Sequence, residues 1–461
     1  MSESSATLAE ELAAFVAALR FEDLPDDVLE RLRLHALDLV GVCLLSARLP
    51  FADMLVATVA QSEGRAEATL IGRGGLRLPA PSAALFMGGV AHGNEFDDTY
   101  APGRWHGSAA TLPALLCTAQ ALGSDGRRFM VALAAALEVG CRLTRAAPGL
   151  LGRGFHSTAT AGVLASALGV GRLHGFDARQ LAASLGVAGC FASGTAEFLD
   201  DPQAWPKRIQ VGYAAQGAIL AARAVAHGFS GPRRILEGRH GYFNAHAGEG
   251  RYDLASITRG LGEDWELLKL YPKRYPCDHI AQGYLDCAIA IGRDARPIAE
   301  DIARVEAVVH PLVTPVMFEP RALRYAPDSG WSARWSMPFN LAVALLDRSV
   351  TIDTYTDARA HDPATRALMQ RVEPVEDSTL PFPSQYPARV RVHLRSGRAL
   401  ERSQMHVAGA ADNPLTAGWY EEKFVDNASR SLDAATVQAL LARFRALPDI
   451  ADIGEIAALY G

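Results

Sequence analysis

Lysine is scarce in this chain of 461 residues. All but four of its 45 basic residues are arginine, so guanidinium supplies the general positive charge. Each remaining ammonium is therefore a candidate for a position that needs a compact, strongly hydrated cation. The four lysines are Lys207, Lys269, Lys273 and Lys423.

Cysteine is also sparse, and it forms no metal-binding or redox pattern. None of the six cysteines belongs to a C-x-x-C pair, and most lie in apolar helical runs such as ALLCTAQAL. They are therefore expected to be buried thiols of a reducing compartment. The thirteen histidines form no H-E-x-x-H motif and no ligand pair matched by a second Cys or His pair. We expect no metal.

The chain lacks a strong charge excess and long hydrophobic runs. The charged fraction is 21% and the net charge is −6, which excludes the electrostatic footprint of a nucleic-acid-binding protein. The N-terminus carries acidic residues early and has no basic segment followed by an apolar block. The longest uncharged stretches are interrupted by polar residues, glycine or proline, so they are poor membrane spans. These absences predict a cytoplasmic protein that binds neither nucleic acid nor membrane.

Helical periodicity dominates residues 1–268. Apolar residues recur at spacings of three and four in LAEELAAFVAAL, VLERLRLHALDLVGVCLL and FMVALAAALEVGCRLTRAA. Small residues are dense in SAALFMGGVAHG, TAGVLASALGVG and YAAQGAILAARAVAHG, which predicts helices that pack backbone against backbone. Gly175-Phe176-Asp177 predicts the start of another helix, which is expected to end near Gly186. The length of the chain favours two structural units.

The pattern changes after residue 269. Alternation at residues 388–394, followed by Ser396-Gly397 and a short run ending near Val407, predicts a hairpin. A second alternating stretch includes Val305, Ala307 and Val309, and WSARWSMPFNLAVALLDR between them predicts a helix. Residues 269–409 therefore form an expected α+β unit. Helices in 410–461, such as the one that Asp433 caps, are expected to rejoin the first body.

Four stretches in order carry a resemblance to a known family. They are AHGNEFDDTY followed by WHGS, then GRGFHSTATAG, then PKRIQVGYAAQ leading to GFSGP, and finally LKLYPKRYPCDHIAQG with WSMPFNLAVALL downstream. Together, over roughly residues 10–450, they resemble the MmgE/PrpD family of 2-methylcitrate dehydratases, cis-aconitate decarboxylases and iminodisuccinate epimerases. The resemblance implies a mainly α fold: a large all-helical domain from both chain ends with an inserted α+β lid. It also implies a homodimer, a site between body and lid, and no metal or organic cofactor.

Chemistry beside a carboxylate develops negative charge that cationic donors must stabilise, and histidine is suited to moving the proton. By the resemblance, His106 and His156 occupy two histidine positions of the family, and Lys207 and Lys273 match its active-site lysines. Lys207 also precedes a helix whose N-terminus favours a carboxylate. The alternative for each histidine is a structural role at a helix end. The predicted catalytic residues are His106, His156, Lys207, Lys273 and Asp278.

The residues predicted to bind substrate surround these positions. Spacings of three and four place Glu95, Asp98 and Thr99 on one helical face, with Asp97 pointing elsewhere. An acidic group there would orient His106 and raise its basicity. Nearby arginines are candidates to clamp carboxylates, although exposed ion pairing is the alternative for at least two of them. The full binding prediction is Glu95, Asp98, Thr99, Arg104, Arg153, Arg208, Arg274, His279 and Phe339.

The expected partner is a small polycarboxylate, and three reactions stay open. They are dehydration of a 2-methylcitrate-like acid, epimerisation of an iminodisuccinate-like acid and decarboxylation of a cis-aconitate-like acid. Compared with the decarboxylases, this chain has Glu95 for aspartate, Asp278 near a histidine position and Phe339 for tyrosine. The lost proton donors favour a dehydrating lyase. With Gln210 where many relatives have histidine, a non-catalytic ligand-binding homologue is the remaining alternative.

Overall fold

The computed structural model describes residues 6–201 and 205–461, which form two compact units. The first contains residues 6–196, Trp205–Pro272 and Thr416–Gly461, and the second contains residues 197–201 and Lys273–Leu415. The predicted fold class is confirmed, since a large helical unit takes in both chain ends and a smaller α+β unit is inserted. The unit boundaries lie at 272/273 and 415/416, where the sequence pattern suggested 268/269 and 409/410.

The first unit up to Pro272 consists of helices and two short antiparallel strand pairs, β1 with β2 and β3 with β4. Its helices are α1 Leu8–Ala18, α2 Asp26–Ser46, α3 Pro50–Val59, α4 Ala80–His92, α5 Gly107–Leu122, α6 Gly126–Ala146, α7 Ser157–Leu173, α8 Ala178–Gly189, α9 Lys207–Ala226, α10 Tyr242–His246 and α11 Ala255–Thr258. Its strands are β1 Ala68–Thr69, β2 Arg77–Leu78, β3 Asp98–Tyr100 and β4 Leu270–Pro272.

Local capping explains where several of these helices begin. Thr7 and Glu10 form a reciprocal capping box at α1, with the Glu10 amide 3.3 Å from Thr7 Oγ1. Asp177 caps α8 by accepting a hydrogen bond of 2.8 Å from the Gln180 amide. The predicted start of α8 is therefore confirmed, and the helix continues to Gly189, three residues beyond the predicted end at Gly186.

Small residues allow α4 and α9 to approach backbone to backbone, as predicted. A Cβ on Gly88 would lie 2.6 Å from the Gly212 Cα, and a Cβ on Gly212 would lie 2.1 Å from the Leu85 carbonyl oxygen. Every residue of α4 is buried, and α7 is buried except at Arg172. The apolar faces of these two helices are thus covered within one chain, whereas α9 keeps an exposed side.

The second unit holds a four-stranded sheet of order β6-β5-β7-β8, in which only β5 and β6 are parallel. The predicted hairpin is confirmed as β7 with β8, and Gly397 takes a left-handed φ of 87° in its turn. The helices are α12 Ala281–Ala295, α13 Thr314–Met317, α14 Arg321–Arg324, α15 Met337–Asp347, α16 Asp357–Ala360 and α17 Pro363–Met369. The strands are β5 Ile302–Val309, β6 Val372–Glu376, β7 Ala388–Leu394 and β8 Ala399–Gln404.

The single helix predicted for WSARWSMPFNLAVALLDR is divided in the structure. Ser332–Trp335 forms a 3-10 turn, and α15 begins only at Met337. The break occurs because Ser336 caps α15, its Oγ accepting a hydrogen bond of 3.0 Å from the Phe339 amide, with Pro338 in the first turn.

The chain then returns to the first unit as α18 Ala417–Ala428, α19 Ala434–Arg445 and α20 Gly454–Tyr460. Asp433 caps α19 as predicted, accepting a hydrogen bond of 3.0 Å from the Thr436 amide. Within residues 6–201 and 205–461, no single helix has both the length and the apolar composition of a membrane span; by those two measures alone, the bent pair α2 and α3 passes.

Candidate functional site

Three helices of the first unit begin at predicted site residues. His106 is the N-cap of α5, His156 is the N-cap of α7, and Lys207 is the first residue of α9. Because α7 packs against both α5 and α9, these helix starts belong to one packed group. Helix N-termini carry unsatisfied amides and a partial positive charge, which favour an anionic ligand.

The His106 ring is almost completely buried, with 8% of the residue exposed. Its Nδ1 lies 2.7 Å from the Asp98 carbonyl oxygen. Since a carbonyl oxygen only accepts hydrogen bonds, Nδ1 carries the proton and Nε2 carries the lone pair. The Thr99 hydroxyl lies 3.4 Å from the same Nδ1. This tautomer suits His106 to accept a proton at Nε2.

His156 is held in the same way by a glutamine. Its Nδ1 lies 3.1 Å from Gln210 Oε1, and Gln210 Nε2 donates to the Thr195 carbonyl oxygen at 2.8 Å. The second contact fixes the amide orientation, so that Nδ1 donates to Oε1 and Nε2 again carries the lone pair. Neither His106 nor His156 uses its side chain to cap its helix. Gln210, noted in the sequence only as a missing histidine, therefore orients one.

The helical face predicted for EFDDTY is wrong. Helix α4 ends at His92, Glu95 has a left-handed φ of 55°, and β3 then pairs with β4. The extended backbone of β3 places Asp98 and Thr99 on opposite sides of the strand, so they share no face.

Asp97 and Asp98 exchange the roles that the sequence suggested. Asp97, expected to point elsewhere, brings Oδ2 to 2.6 Å from His92 Nδ1 and 3.8 Å from His106 Nδ1. The Asp98 carboxylate instead accepts a hydrogen bond of 3.1 Å from the Ser108 amide and lies 2.9 Å from His35 Nδ1. The acidic side chain beside His106 is therefore Asp97, and Asp98 contributes its carbonyl oxygen.

Lys207 is buried and ion-paired. Its Nζ donates to Oε1 of Glu95, which is also buried, so the predicted cation and one predicted acid are direct partners. A buried ammonium requires such a partner because the isolated charge would be costly to desolvate. The pair places a cation with its counter-ion beside the histidines.

The arginines of the first unit differ in their surroundings. Arg208 lies against Phe51 and Trp205, at 4.4 Å from each ring, and its Nε donates to the Gly93 carbonyl oxygen at 3.2 Å. These contacts brace the turn that leads into the acidic segment. Arg104 is half-buried and has a left-handed φ of 48°, whereas Arg153 is exposed.

His92 is a buried residue of this group that sequence reasoning missed. Its ring centroid lies 5.0 Å from that of His106 and 5.3 Å from that of His156. Burial holds the pKa of His92 well below its usual value, and the positive charge of Lys207 lowers this pKa further. The sequence signal for His92 was its position in the AHGNEFDDTY motif. A lone histidine at the end of an apolar helix is, however, also typical of a core position.

The second unit contains the other predicted residues. Lys273, which directly follows β4, is fully buried. Arg274 Nη1 lies 2.8 Å from Asp286 Oδ1, which is the ion pairing foreseen as the alternative for an arginine. Asp278 Oδ1 accepts a hydrogen bond of 2.9 Å from the Ile280 amide just before α12.

Aromatic packing surrounds the last two predicted residues. The His279 ring centroid lies 4.4 Å from that of Tyr386, and Phe339 is fully buried with its ring centroid 5.8 Å from that of Tyr355. Both side chains are therefore part of the packed interior of the second unit, where a tyrosine at position 339 would need a partner for its hydroxyl.

In the described part of the chain, no cluster of three or more histidine, cysteine, aspartate or glutamate side chains could hold a metal ion. All six cysteines are free thiols, and only Cys190 is exposed. The polar group of the first unit therefore consists of imidazoles, carboxylates and one ammonium: His92, Glu95, Asp97, His106, His156 and Lys207.

This fold and this group of buried imidazoles, carboxylates and one ammonium define a mainly α protein of two units with a polar site in its helical unit. The chain belongs to the MmgE/PrpD family: residues 10–255 match the MmgE/PrpD N-terminal domain and residues 275–447 match the MmgE/PrpD C-terminal domain. The resemblance seen in the sequence is thereby confirmed.

Curated relatives align with almost the whole chain. A cis-aconitate decarboxylase-like protein of Aspergillus oryzae is 24% identical, over 97% of this chain and 96% of the relative. Human cis-aconitate decarboxylase is 25% identical, over 98% of this chain and 94% of the relative. The mouse cis-aconitate decarboxylase is 26% identical, over 97% and 92% of the two chains.

Proposed function

We propose that this chain is a lyase that acts on a small polycarboxylic acid at the carbon beside a carboxylate, without a metal or an organic cofactor. The observation that carries the proposal is the matched geometry of His106 and His156. In each ring an oxygen acceptor holds Nδ1–H, which leaves Nε2 to take or return a proton. Two such carriers suit a reaction that removes a proton at one step and returns one at another.

The cation beside them supplies the complementary charge. Lys207 and the N-termini of α5, α7 and α9 stabilise the substrate carboxylate and the enediolate-like charge that develops in the reaction. Glu95 keeps the ammonium charged and oriented until a carboxylate binds. Lys273 and Asp278 are proposed as catalytic residues on the strength of the family resemblance alone.

Decarboxylation of an aconitate-like acid is the first candidate reaction. It is favoured by the names of the three relatives described above, each aligned over more than nine-tenths of both chains. In this reaction one carboxyl group leaves as carbon dioxide, and its bonding electrons form an allylic carbanion that a remaining carboxylate stabilises as an enediolate. A histidine then returns a proton to one end of that anion.

Dehydration of a 2-methylcitrate-like acid is the second candidate. It is favoured by Phe339 and Asp278, which stand where the decarboxylases have tyrosine and, nearby, histidine. Here one histidine takes the proton beside the carboxylate, and the hydroxyl leaves from the neighbouring carbon with a proton from an acid. Epimerisation of an iminodisuccinate-like acid would share the first step and return the proton to the opposite face.

The test is an incubation of the purified protein with cis-aconitate, 2-methylcitrate and iminodisuccinate in deuterated water, followed by NMR and by carbon dioxide detection. Decarboxylation of cis-aconitate releases carbon dioxide and places one deuterium in the product, at one end of the allylic carbanion that the departing carboxyl group leaves. Dehydration or epimerisation exchanges deuterium into substrate or product at one carbon without carbon dioxide.

Two controls accompany the incubation. The His106→Ala/His156→Ala double variant should abolish turnover, which shows that the activity belongs to this protein. Treatment with a strong chelator should leave the rate unchanged. If none of the three acids is converted, or if a chelated sample recovers only with a divalent ion, the proposal is wrong.

A further inference from the structure

The proposed reaction assigns no task to His92, a buried histidine of the first unit. His92 is the last residue of α4, is fully buried, and contacts the rings of both histidines that we assign to proton transfer. A polar ring at the end of an otherwise apolar helix is costly to bury unless its nitrogens are satisfied. The role of His92 therefore depends on what its two nitrogens meet.

Asp97 determines the tautomer of His92. Nδ1 lies 2.6 Å from Asp97 Oδ2, and an ionised carboxylate only accepts, so Nδ1 donates and Nε2 keeps the lone pair. None of the described residues forms a hydrogen bond with Nε2. Burial and the nearby charge of Lys207 disfavour a second proton on this ring. His92 therefore stays neutral and does not compete with His106 or His156 for the substrate proton.

The same carboxylate oxygen also faces His106. Asp97 Oδ2 lies 3.8 Å from His106 Nδ1, close enough for a negative charge to favour the protonated ring. Other groups near Asp97 are Lys423 of α18 and Cys43 of α2, while His92 is also near Lys207 of α9. The contact of 2.6 Å between His92 Nδ1 and Asp97 Oδ2 holds this carboxylate in position.

We propose that His92 is a positioning residue: its neutral ring holds the Asp97 carboxylate beside His106 and supports the stacked ring of His156, which strengthens proton uptake by His106. The inference rests on the proposed function for its catalytic meaning, since it concerns how His106 handles a proton. The effect of the His92 ring on the His106 ring through the shared Asp97 carboxylate is measurable without any substrate.

Two substitutions separate the hydrogen bond from the packing. In His92→Asn, the amide N–H replaces Nδ1–H toward Asp97, although the ring is lost. In His92→Phe, the ring volume remains but the donor is lost. A buried Asp97 carboxylate without its donor tends to hold a proton, which removes its negative charge from beside His106.

The direct measurement is NMR titration of the His106 ring in protein labelled with carbon-13 histidine, its signal assigned by its loss in His106→Asn. In His92→Phe the midpoint should fall by about one pH unit or more, as expected when an opposite charge within reach is lost. In His92→Asn it should stay near the wild-type value. His174→Phe, which alters a half-buried histidine at the end of α7, is the matched control and should change nothing.

Asp97→Asn provides a second route to the same result. It should lower the His106 midpoint as much as His92→Phe does, and the double variant should show no further decrease, because both changes act on one carboxylate. Equal midpoints in wild type and His92→Phe, or additive shifts in the double variant, would overturn the proposal.

The pH profile of turnover connects the titration to activity. In His92→Phe the acid limb of kcat/KM should move to lower pH together with the NMR midpoint. A purely structural defect would lower kcat without moving this limb. A shifted midpoint in a protein that converts none of the acids would retain the positioning role and reject the proposed function. Turnover with an unshifted midpoint would support the proposed function and reject the positioning role.

Discussion

At the scale of single residues, oxygen acceptors set the state of His106 and His156 before any substrate arrives. The Asp98 carbonyl oxygen and the Gln210 side-chain oxygen each take the Nδ1 proton, so that both rings present the same basic nitrogen. In the proposed reaction, a ring fixed in this way would lose little orientational freedom on transferring a proton, which is the benefit of a site prepared in advance.

Removing either imidazole should affect turnover far more than binding. We expect His106→Ala and His156→Ala each to lower kcat by about two to four orders of magnitude, the range for loss of a general acid or base. Lys207→Ala should mainly raise KM, because it removes charge that holds the substrate. Steady-state kinetics with the converted acid measures both effects.

The exposed Arg179 of α8 provides the control, since Arg179→Ala removes a surface cation that belongs to no predicted site. It should leave kcat within about twofold of wild type if exposed charges contribute little. Wild-type turnover in either histidine variant would assign that histidine the structural role at a helix end.

The buried His92 also makes stability depend on pH. Its pKa in the folded protein lies well below 6.5, the ordinary value that the unfolded chain should show. As pH falls below 6.5, the unfolded state therefore binds a proton that the folded state does not, and the free energy of unfolding decreases by about 1.4 kcal/mol per pH unit for each such group.

Urea unfolding at several pH values between 6.5 and 5 measures this slope. His92→Asn removes the titrating ring. It should reduce the slope of the free energy of unfolding against pH by nearly the contribution of one proton, about 1.4 kcal/mol per pH unit, whatever its effect on stability at neutral pH. His174 shows a smaller effect of the same sign, since partial burial and Arg223 lower its pKa, so His174→Asn should reduce the slope less. An unchanged slope in His92→Asn would mean that the ring is protonated in the folded state.

At the scale of elements, the close approach of α4 and α9 positions both His92 and Lys207. Gly212→Ala should be strongly destabilising, because its Cβ would lie 2.1 Å from the Leu85 carbonyl oxygen and would force the helices apart. We expect a loss of about 1–3 kcal/mol, as for other overpacked interiors. Chemical denaturation measures it.

Gly418→Ala is the control for this substitution. Gly418 is exposed in the first turn of α18, and the nearest atom to its added Cβ would be 3.8 Å away. Alanine there should be neutral or stabilising by up to about 1 kcal/mol. Equal stability of the two glycine variants would contradict the close packing of α4 and α9.

Helix α18 secures the acidic segment through a buried ion pair. Lys423 Nζ lies 2.8 Å from Asp38 of α2 and donates to the Phe96 carbonyl oxygen at 3.0 Å, directly before Asp97. Burial raises the pKa of the Asp38 carboxyl and lowers the pKa of the Lys423 ammonium, while pairing opposes both changes. Helix α18 thus holds the turn on which the His92 and His106 contacts depend.

Lys423→Met should therefore lower the free energy of unfolding by about 3–5 kcal/mol, because it leaves the Asp38 charge buried without its partner. The Asp38→Asn/Lys423→Met double variant should lose less than the sum of the single losses. Lys269→Met, which removes a half-exposed lysine paired with Glu266, should cost no more than about 1 kcal/mol. A small effect of Lys423→Met would show that the pair is not a structural anchor.

The elements predicted correctly from the sequence are those whose causes are local. Asp177 and Asp433 mark helix starts because a cap acts within one turn, and the β7–β8 hairpin follows from alternation and Ser396-Gly397. The acidic segment was predicted wrongly because its strand is induced by pairing with residues 270–272, far along the chain. Asp97 and Gln210 were misjudged for the same reason, since their partners become neighbours only in the folded unit.

At the scale of the whole molecule, α9 keeps an exposed apolar side. Ile209, Tyr213 and Leu220 recur at spacings of four and seven on this helix, and Trp205 precedes it. Since α4 and α7 are covered within the chain, α9 is the small-residue helix on which we expect the contact of the homodimer that the family resemblance implies. A surface of this kind suits an isologous contact, in which α9 of one subunit packs against α9 of the other.

Sedimentation velocity at micromolar concentration is the test of this prediction. The wild-type protein should sediment as a dimer, and the Tyr213→Glu/Leu220→Glu variant as a folded monomer, because two buried carboxylates would be unpaired in the contact. Leu312→Glu alters an equally exposed leucine of the second unit and should leave the dimer intact. A wild-type monomer would remove the prediction altogether, and a dimer that survives both glutamates would place the contact on a surface other than α9.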